Sequence, residues 1–367
     1  MSVTWESALA WRLRRQLLDP VTSVTAAHVV GTLGAVATQL DPAAAELGVR
    51  ARRLTGHAGD LERALAEGLL LKTFAFRGAT HWMTPEAASV HLALRAASRM
   101  WERPAWQSYY DLSPADWPAL RGAVREALTD GPMTRAELAA AVTGGSRFGH
   151  LAAAFTDPSA TFLKPFAWQG DLSLGPARDG RMTLQRLDAN PRWPGLPDVD
   201  EAGRRAVEAY VRAYGPASPA NVQYWLGEGL GVRRSQIGSW LADGGARLCT
   251  VRVGTEDRLV LCEDVDDLAA ARPTATVRLL PRYDQWVLGP GTADQHVVPA
   301  SIRGEVSRGA NLLVLAGVVA GTWSLDADTV VTSVVAGNGA PPGPALEAEV
   351  ARLARALGRP LSLPVAG

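Results

Sequence analysis

Apolar positions recur at three- and four-residue spacing through most of the chain and switch to alternation in a few short stretches. Residues 7–18 form the first helical stretch. After Asp19-Pro20, Thr25 stands as an N-cap before TAAHVVGTLGAV. A second stretch begins at Pro114: a helix over 117–128, the turn Gly131-Pro132, then Thr134 capping RAELAAAV. The third has a helix over 201–214, the turn Gly215-Pro216, then Ser218 capping PANVQYWL with Pro219 at the first helical position. The two Gly-Pro turns lie 84 residues apart. A helix, a tight turn and a capped short helix make the first half of a helix-turn-helix.

Each stretch continues in the same way. A further helix over 61–70 precedes the strand-like LLKTFAFRGATHWM. One over 149–155 precedes FLKPFAWQGDLSL, and one over 234–241 precedes RLCTVRVGTEDRLVLC. Helices followed by a β-hairpin describe a winged helix. From Pro273 the pattern changes. ATVRLLPRYDQWVLG reads as buried, NLLVLAGVVAGTWSL as a hairpin turning at Ala316-Gly317, TVVTSVV as a third strand, NGAPPGP as a loop and 346–357 as a closing amphipathic helix. NPRWPGLPD, with three prolines, reads as a linker. The expected fold is α+β and mostly helical, with three tandem winged helix-turn-helix units carrying β-hairpin wings. The units fall at 1–110, 111–197 and 198–272, and 273–367 supplies a hairpin and closing helix packed across them.

Composition changes this picture little. With 367 residues, 47% apolar and 20% charged, the chain is an ordinary globular one. No apolar run approaches the roughly 18 residues of a membrane span, and the N-terminus lacks the apolar core of a signal peptide, so a cytoplasmic protein with no membrane partner is expected. Net charge is zero, which weakens a simple nucleic-acid reading. The cations are nonetheless almost all arginine, since Lys72 and Lys164 are the only lysines. A GC-rich genome explains that equally well. Either way, anions must be met by guanidinium forks, with charge segregated to one face. Cys249 and Cys262 flank a turn near Thr255-Glu256 and read as two buried thiols in a reducing compartment. Neither has a partner at zinc-ligand spacing, so no metal is expected.

Several segments together resemble the AlkZ-like family of winged-helix DNA glycosylases. They are WRLRRQLL in the first helix, FRGATHWM, YVRAYGPASPANVQYWLG, LLPRYDQWVLG and VLAGVVAGTW, in family order from about residue 10 to 330. The resemblance implies a C-shaped arrangement of the units. It also implies hydrolysis of the N-glycosidic bond of alkylated purines (N7-alkylguanine and interstrand crosslinks) in duplex DNA, by a monomer, for repair or self-resistance to DNA-alkylating natural products. The family's catalytic Gln-x-Gln triplet aligns with Ala37-Thr38-Gln39, so the second glutamine is present and the first is alanine. That departure leaves open a non-catalytic DNA-binding regulator or lesion sensor. The zero net charge leaves open an interaction scaffold that never meets DNA.

The chemistry suits amides. A purine alkylated at N7 already carries positive charge and leaves without protonation, so the enzyme needs mainly to hold a water in line and stabilise an oxocarbenium-like sugar. A glutamine carbonyl accepts a hydrogen bond from the water while its NH₂ donates elsewhere. Residues 37 and 39 converge only if the helix ends there, and Pro42, which disfavours helix at Asp41, predicts an end just past Gln39. The negative end of that helix dipole would then face the sugar. No GxSxG, HExxH or phosphate-binding loop competes, and GEGLG at 227–231 reads as a turn. No lysine has a motif for Schiff-base lyase chemistry, and no organic cofactor is implied. His81 reads as a strand histidine, structural or in contact with DNA. Asp284 reads as a buried carboxylate or as part of the substrate channel. Arg303 and Arg308, in the glycine-containing loop SIRGEVSRGAN, are candidates for phosphate or minor-groove contacts.

Overall fold

The computed structural model describes residues 2–244, 247–335 and 339–364. In the first stretch β1 (Ser2–Val3) leads into α1 (Trp5–Arg15), and α2 (Ala26–Leu33) begins at Thr25, whose hydroxyl accepts from His28 N–H at 3.1 Å. α2 stops at Gly34, whose φ of 75° suits glycine. Then come β2 (Val36–Ala37), α3 (Pro42–Arg50), α4 (Asp60–Ala66) and a hairpin of β3 (Leu71–Phe74) and β4 (Thr80–Met83). α5 (Pro85–Ala96) and α6 (Pro104–Tyr110) lead out.

The second stretch holds α7 (Trp117–Ala127), β5 (Met133–Thr134), α8 (Arg135–Thr143), α9 (Ala152–Thr156), α10 (Lys164–Trp168) and a hairpin of β6 (Leu172–Arg178) and β7 (Arg181–Arg186). Thr134 caps α8 reciprocally with Glu137, whose carboxylate accepts from Thr134 N–H at 2.8 Å. The third holds α11 (Val199–Tyr214), α12 (Pro219–Val222) running into a π-helical turn over Gln223–Glu228, α13 (Arg234–Asp243) and a hairpin of β8 (Leu248–Val253) and β9 (Glu256–Leu261). Ser218 and Asn221 form the matching cap. The remainder is α14 (Val265–Ala270), β10 (Val277–Leu280), α15 (Gln285–Leu288), α16 (Arg303–Ser307), β11 (Asn311–Leu315), β12 (Val318–Asp326), β13 (Thr329–Val334) and α17 (Gly343–Leu357).

The sheets tie these stretches together. One has six strands in the order β2-β4-β3-β6-β7-β5, so the first two hairpins form one surface, joined at Lys72 opposite Leu174. β1 pairs in parallel with β8, bringing the N-terminus to the third hairpin. β10 to β13 form an antiparallel meander. The place beside each second hairpin strand is filled differently. In the second stretch β5, before the second helix, pairs with β7. In the third, Ala217 lies opposite Leu259 of β9. In the first, β2 comes after the second helix and pairs with β4.

The largest buried cluster runs from β3 and α5 through α11 and α13. The helices α2 to α4 keep their own core around Val29, Val49 and Trp82. Phe76, at the tip of the first hairpin, belongs to the larger cluster, with its ring centroid 4.2 Å from that of Trp225.

Four local expectations are corrected. FLKPFAW is α10, not strand: Pro165 starts the helix, and Trp168 donates its indole N–H to Phe74 O at 3.0 Å. GEGLG finishes the π-helical turn and the helix beyond it; a side chain at Gly229 would come within 2.7 Å of Phe76, so the glycine there admits that ring. Cys249 and Cys262 are disulfide-bonded rather than free, because the hairpin brings their Cα atoms to 4.9 Å. SIRGEVSRGAN contains the helical turn α16. The turn at Ala316-Gly317 stands as expected, with φ of 52° and 90°.

Candidate active site

The helix carrying the expected triplet ends earlier than its proline implied. α2 closes at Leu33, and the Leu33 carbonyl accepts the buried Tyr214 hydroxyl at 2.7 Å. The helix's negative end is therefore turned toward Tyr214 and not toward residues 37–39. Pro42 instead starts α3, with Asp41 as its N-cap: the Asp41 carboxylate accepts from Ala44 N–H at 2.9 Å.

β2 stops at Ala37, and the chain bends at Gln39. Burial alternates here, with Val36 and Thr38 buried, Ala37 half-buried and Gln39 exposed. Thr38 N–H donates to Thr80 O at 3.0 Å, and Thr80 N–H donates to Gln39 Oε1 at 3.1 Å. That second bond fixes which end of the amide is which, since only the oxygen can accept. Gln39 is exposed, with one Oε1 lone pair and both Nε2 hydrogens uncommitted.

His81 lies opposite Ala37 in the β2–β4 register, on the same face. Directly opposed residues hold their Cβ atoms about 5 Å apart. Its ring is buried against Phe76, and Nδ1 lies 2.9 Å from Ala79 O. Burial pushes its pKa down to about 4, against a smaller upward push from that carbonyl. The imidazole is thus neutral at pH 7, with Nδ1–H donating and Nε2 left as an acceptor. The ring is thus buried beside Ala37. His91, also buried beside Phe76, is pushed down to about 3.

The segment is anchored beyond Gln39 as well. Burial raises the Asp41 carboxyl, but the Ala44 N–H and Arg282 outweigh it and hold it below the usual range; Arg282 Nε lies 2.6 Å from Asp41 Oδ2. Two residues past the end of α3, Arg52 grips Asp284 with both arms, at 2.8 and 2.7 Å, and the two side chains are 0% and 2% exposed. Asp284 also accepts from Trp286 N–H at 2.7 Å. Both of its oxygens are thus engaged by buried donors. The pair fixes α3 against the C-terminal segment, and α3 in turn holds Gln39.

Arg303 begins α16 and Arg308 closes it, both exposed and about one turn apart, more than two hundred residues from Gln39 in sequence. Two neighbours of the site escaped the sequence reading. Leu40 is 73% exposed beside Gln39, and Arg282 reaches Asp41 from the LLPRYDQW segment. Leu40 had a detectable signal, as a large apolar residue between a polar residue and an N-cap. Arg282 had none, since its partner lies 241 residues away.

Tandem helix-turn-helix stretches with hairpins, and an exposed amide clamped at a sheet edge, place the chain in a class that the comparisons make definite. It belongs to the DNA glycosylase AlkZ-like family, whose model matches residues 30–359. The enzymes of this family are hydrolases of N-glycosyl bonds. The interstrand DNA cross-link repair glycosylase of Streptomyces sahachiroi is 33% identical over 364 residues, covering 98% of each chain. The solved structure of Streptomyces sahachiroi DNA glycosylase AlkZ superposes with a TM-score of 0.92, at 32% identity and over 100% of both chains.

Proposed function

We propose that this chain hydrolyses the N-glycosidic bond of N7-alkylated purines in duplex DNA, crosslinked purines included, and that Gln39 is its catalytic residue. The observation that carries this is the exposed Gln39 amide, just past β2 and oriented by Thr80 N–H. The free Oε1 lone pair accepts from a water, and the NH₂ donates to a deoxyribose or phosphate oxygen. This revises the expected division of labour, since the carbonyl serves both the backbone and the water. The ionised Asp41, two residues on, supplies the negative charge that the helix end does not. The neutral His81 supports the strand behind Ala37. Leu40 lies where an apolar wedge would meet a base step, and Arg303 and Arg308 remain free to take phosphates. In this reading the protein works as a cytoplasmic monomer without metal or organic cofactor, its tandem units wrapping one duplex.

Ala37 favours a second reading, a lesion-binding protein without turnover, because a methyl group replaces the family's first amide on this face. One experiment separates the two. The chain and its Ala37→Gln variant are incubated with duplex containing 7-methylguanine, and abasic sites are counted. Release by the chain itself, increased about tenfold in the variant for one added charge-assisted contact, supports the glycosylase. Salt-dependent binding with no release from either supports the lesion binder. No binding at low salt sinks both.

A further inference from the structure

At the far end of α3 from Gln39, four arginines close on one small cavity of about 100 Å³. Arg50 ends α3, Arg53 follows it, and Arg352 and Arg355 come from the last turns of α17. No carboxylate lines the cavity. Two of the four are already engaged. Arg53 pairs with Asp60, which also takes Arg63. Arg352 pairs with Glu349, which also lies 3.6 Å from Arg278. Each carboxylate thus serves two cations, and positive charge is left over.

Arg50 and Arg355 have no ion pair among the described residues. Arg50 Nε is buried without any hydrogen-bond partner. Glu46, one turn earlier on α3, feels the charge of Arg50 but makes no ion pair with it among the described residues, and its carboxylate accepts from Gly59 N–H at 2.7 Å. A buried, unpaired guanidinium N–H costs free energy unless something accepts from it. The space is kept open by Gly56, where a Cβ would stand 3.2 Å from Arg50 Cγ and 3.3 Å from Arg53 Nη1. The cavity holds a few water volumes at ~30 Å³ each, enough for one tetrahedral anion.

We propose that this cavity binds a single phosphate group, held by Arg50 and Arg355 and flanked by Arg53 and Arg352. Guanidinium forks match phosphate oxygens, and a dianion or diester oxygen supplies the acceptor that Arg50 Nε lacks. α3 then spans two functional ends. Its nine residues set Arg50 roughly 13 Å from the Asp41 cap at 1.5 Å per residue. That distance suits a backbone phosphate flanking the base at Gln39. A free phosphate or diphosphate would use the same contacts.

The test uses the full chain with Arg50→Gln/Arg355→Gln, and separately Gly56→Ala, which narrows the cavity while keeping all charges. Inorganic phosphate and pyrophosphate are titrated by calorimetry against unmodified duplex affinity measured from 50 to 200 mM salt. The expected result is anion binding by the parent that falls about tenfold or more in both variants, as for a lost charge-assisted hydrogen bond. A salt slope for DNA shallower by about one in the arginine variant identifies the DNA backbone as the source. An unchanged DNA slope with lost anion binding identifies the free anion. If neither anion nor DNA binding changes in the arginine variant, while its melting temperature matches the parent, the proposal is wrong. Gly56→Ala binding phosphate as the parent does would also overturn the cavity, leaving only diffuse charge.

Discussion

The first and second winged-helix stretches place different elements in one position, and the difference marks the site. Beside the second strand of the hairpin, the second stretch puts β5, whose Thr134 caps the next helix, opposite Thr183. The first puts β2 there, after its second helix, with Ala37 opposite His81 and Gln39 just beyond. One position ends in a helix cap and the other in an exposed amide. The tips differ too. The second hairpin turns through Asp179-Gly180 in solvent, whereas the first turns through Phe76–Gly78 with Phe76 packed on Trp225. The first wing is thus a joint between stretches.

This contrast can be broken most severely at its anchor. Arg52→Met leaves Asp284 buried and unpaired, and is expected to cost about 3–5 kcal/mol, read as a lower urea midpoint. An unchanged midpoint would mean that α3 is held by other contacts. Next in size is Gln39→Ala. It is expected to slow abasic-site formation at 7-methylguanine by about a hundredfold, roughly 2.7 kcal/mol at the transition state, with the melting temperature unchanged. Equal loss of stability would make Gln39 a structural residue like its counterpart in the second stretch.

Acid should separate the stretches as well. Above pH 6.5 both His81 and His91 are neutral, folded or unfolded. Below it the unfolded chain takes up protons that the buried rings refuse until about pH 4 and about pH 3. Stability therefore falls as pH drops through this window, by about 1.4 kcal/mol per pH unit for each ring. His81→Gln should remove one ring's share of that slope between pH 6.5 and 4, and an unaltered slope would count against the buried neutral ring. The smallest effect is at the second stretch: Thr134→Ala should cost about 1 kcal/mol of stability and leave base release untouched. A loss of activity there would make the second sheet edge part of the site.

Much of the frame could be read locally. Thr25, Thr134 and Ser218 cap the expected helices, because a short polar side chain before an apolar helix has few other uses. The first and third hairpins followed from alternation, the second lay mostly beyond the segment expected for it, and Gln39 followed from resemblance to a family. What escaped was set by tertiary packing. α2 ends at Leu33 because Gly34 turns the chain and Tyr214, 181 residues away, takes the last carbonyl. KPFAW becomes helical with Pro165 in its first turn and Phe166, Ala167 and Trp168 buried. The Arg52–Asp284 pair spans 232 residues and left no local trace.

That same pair has a consequence for biosynthesis. The strand bearing Gln39 is made early, but the carboxylate that pins its supporting helix is translated only after most of the chain has emerged. Tyr214, which closes α2, is likewise late. A ribosome-bound fragment ending near residue 272 carries every helix-turn-helix and still lacks Asp284, Arg282 and α17. Long-range contacts of this kind form last in folding. Such a fragment already holds Thr80, which orients the Gln39 amide, but it lacks the contacts that pin the helix beyond, so that helix would settle only in the finished molecule.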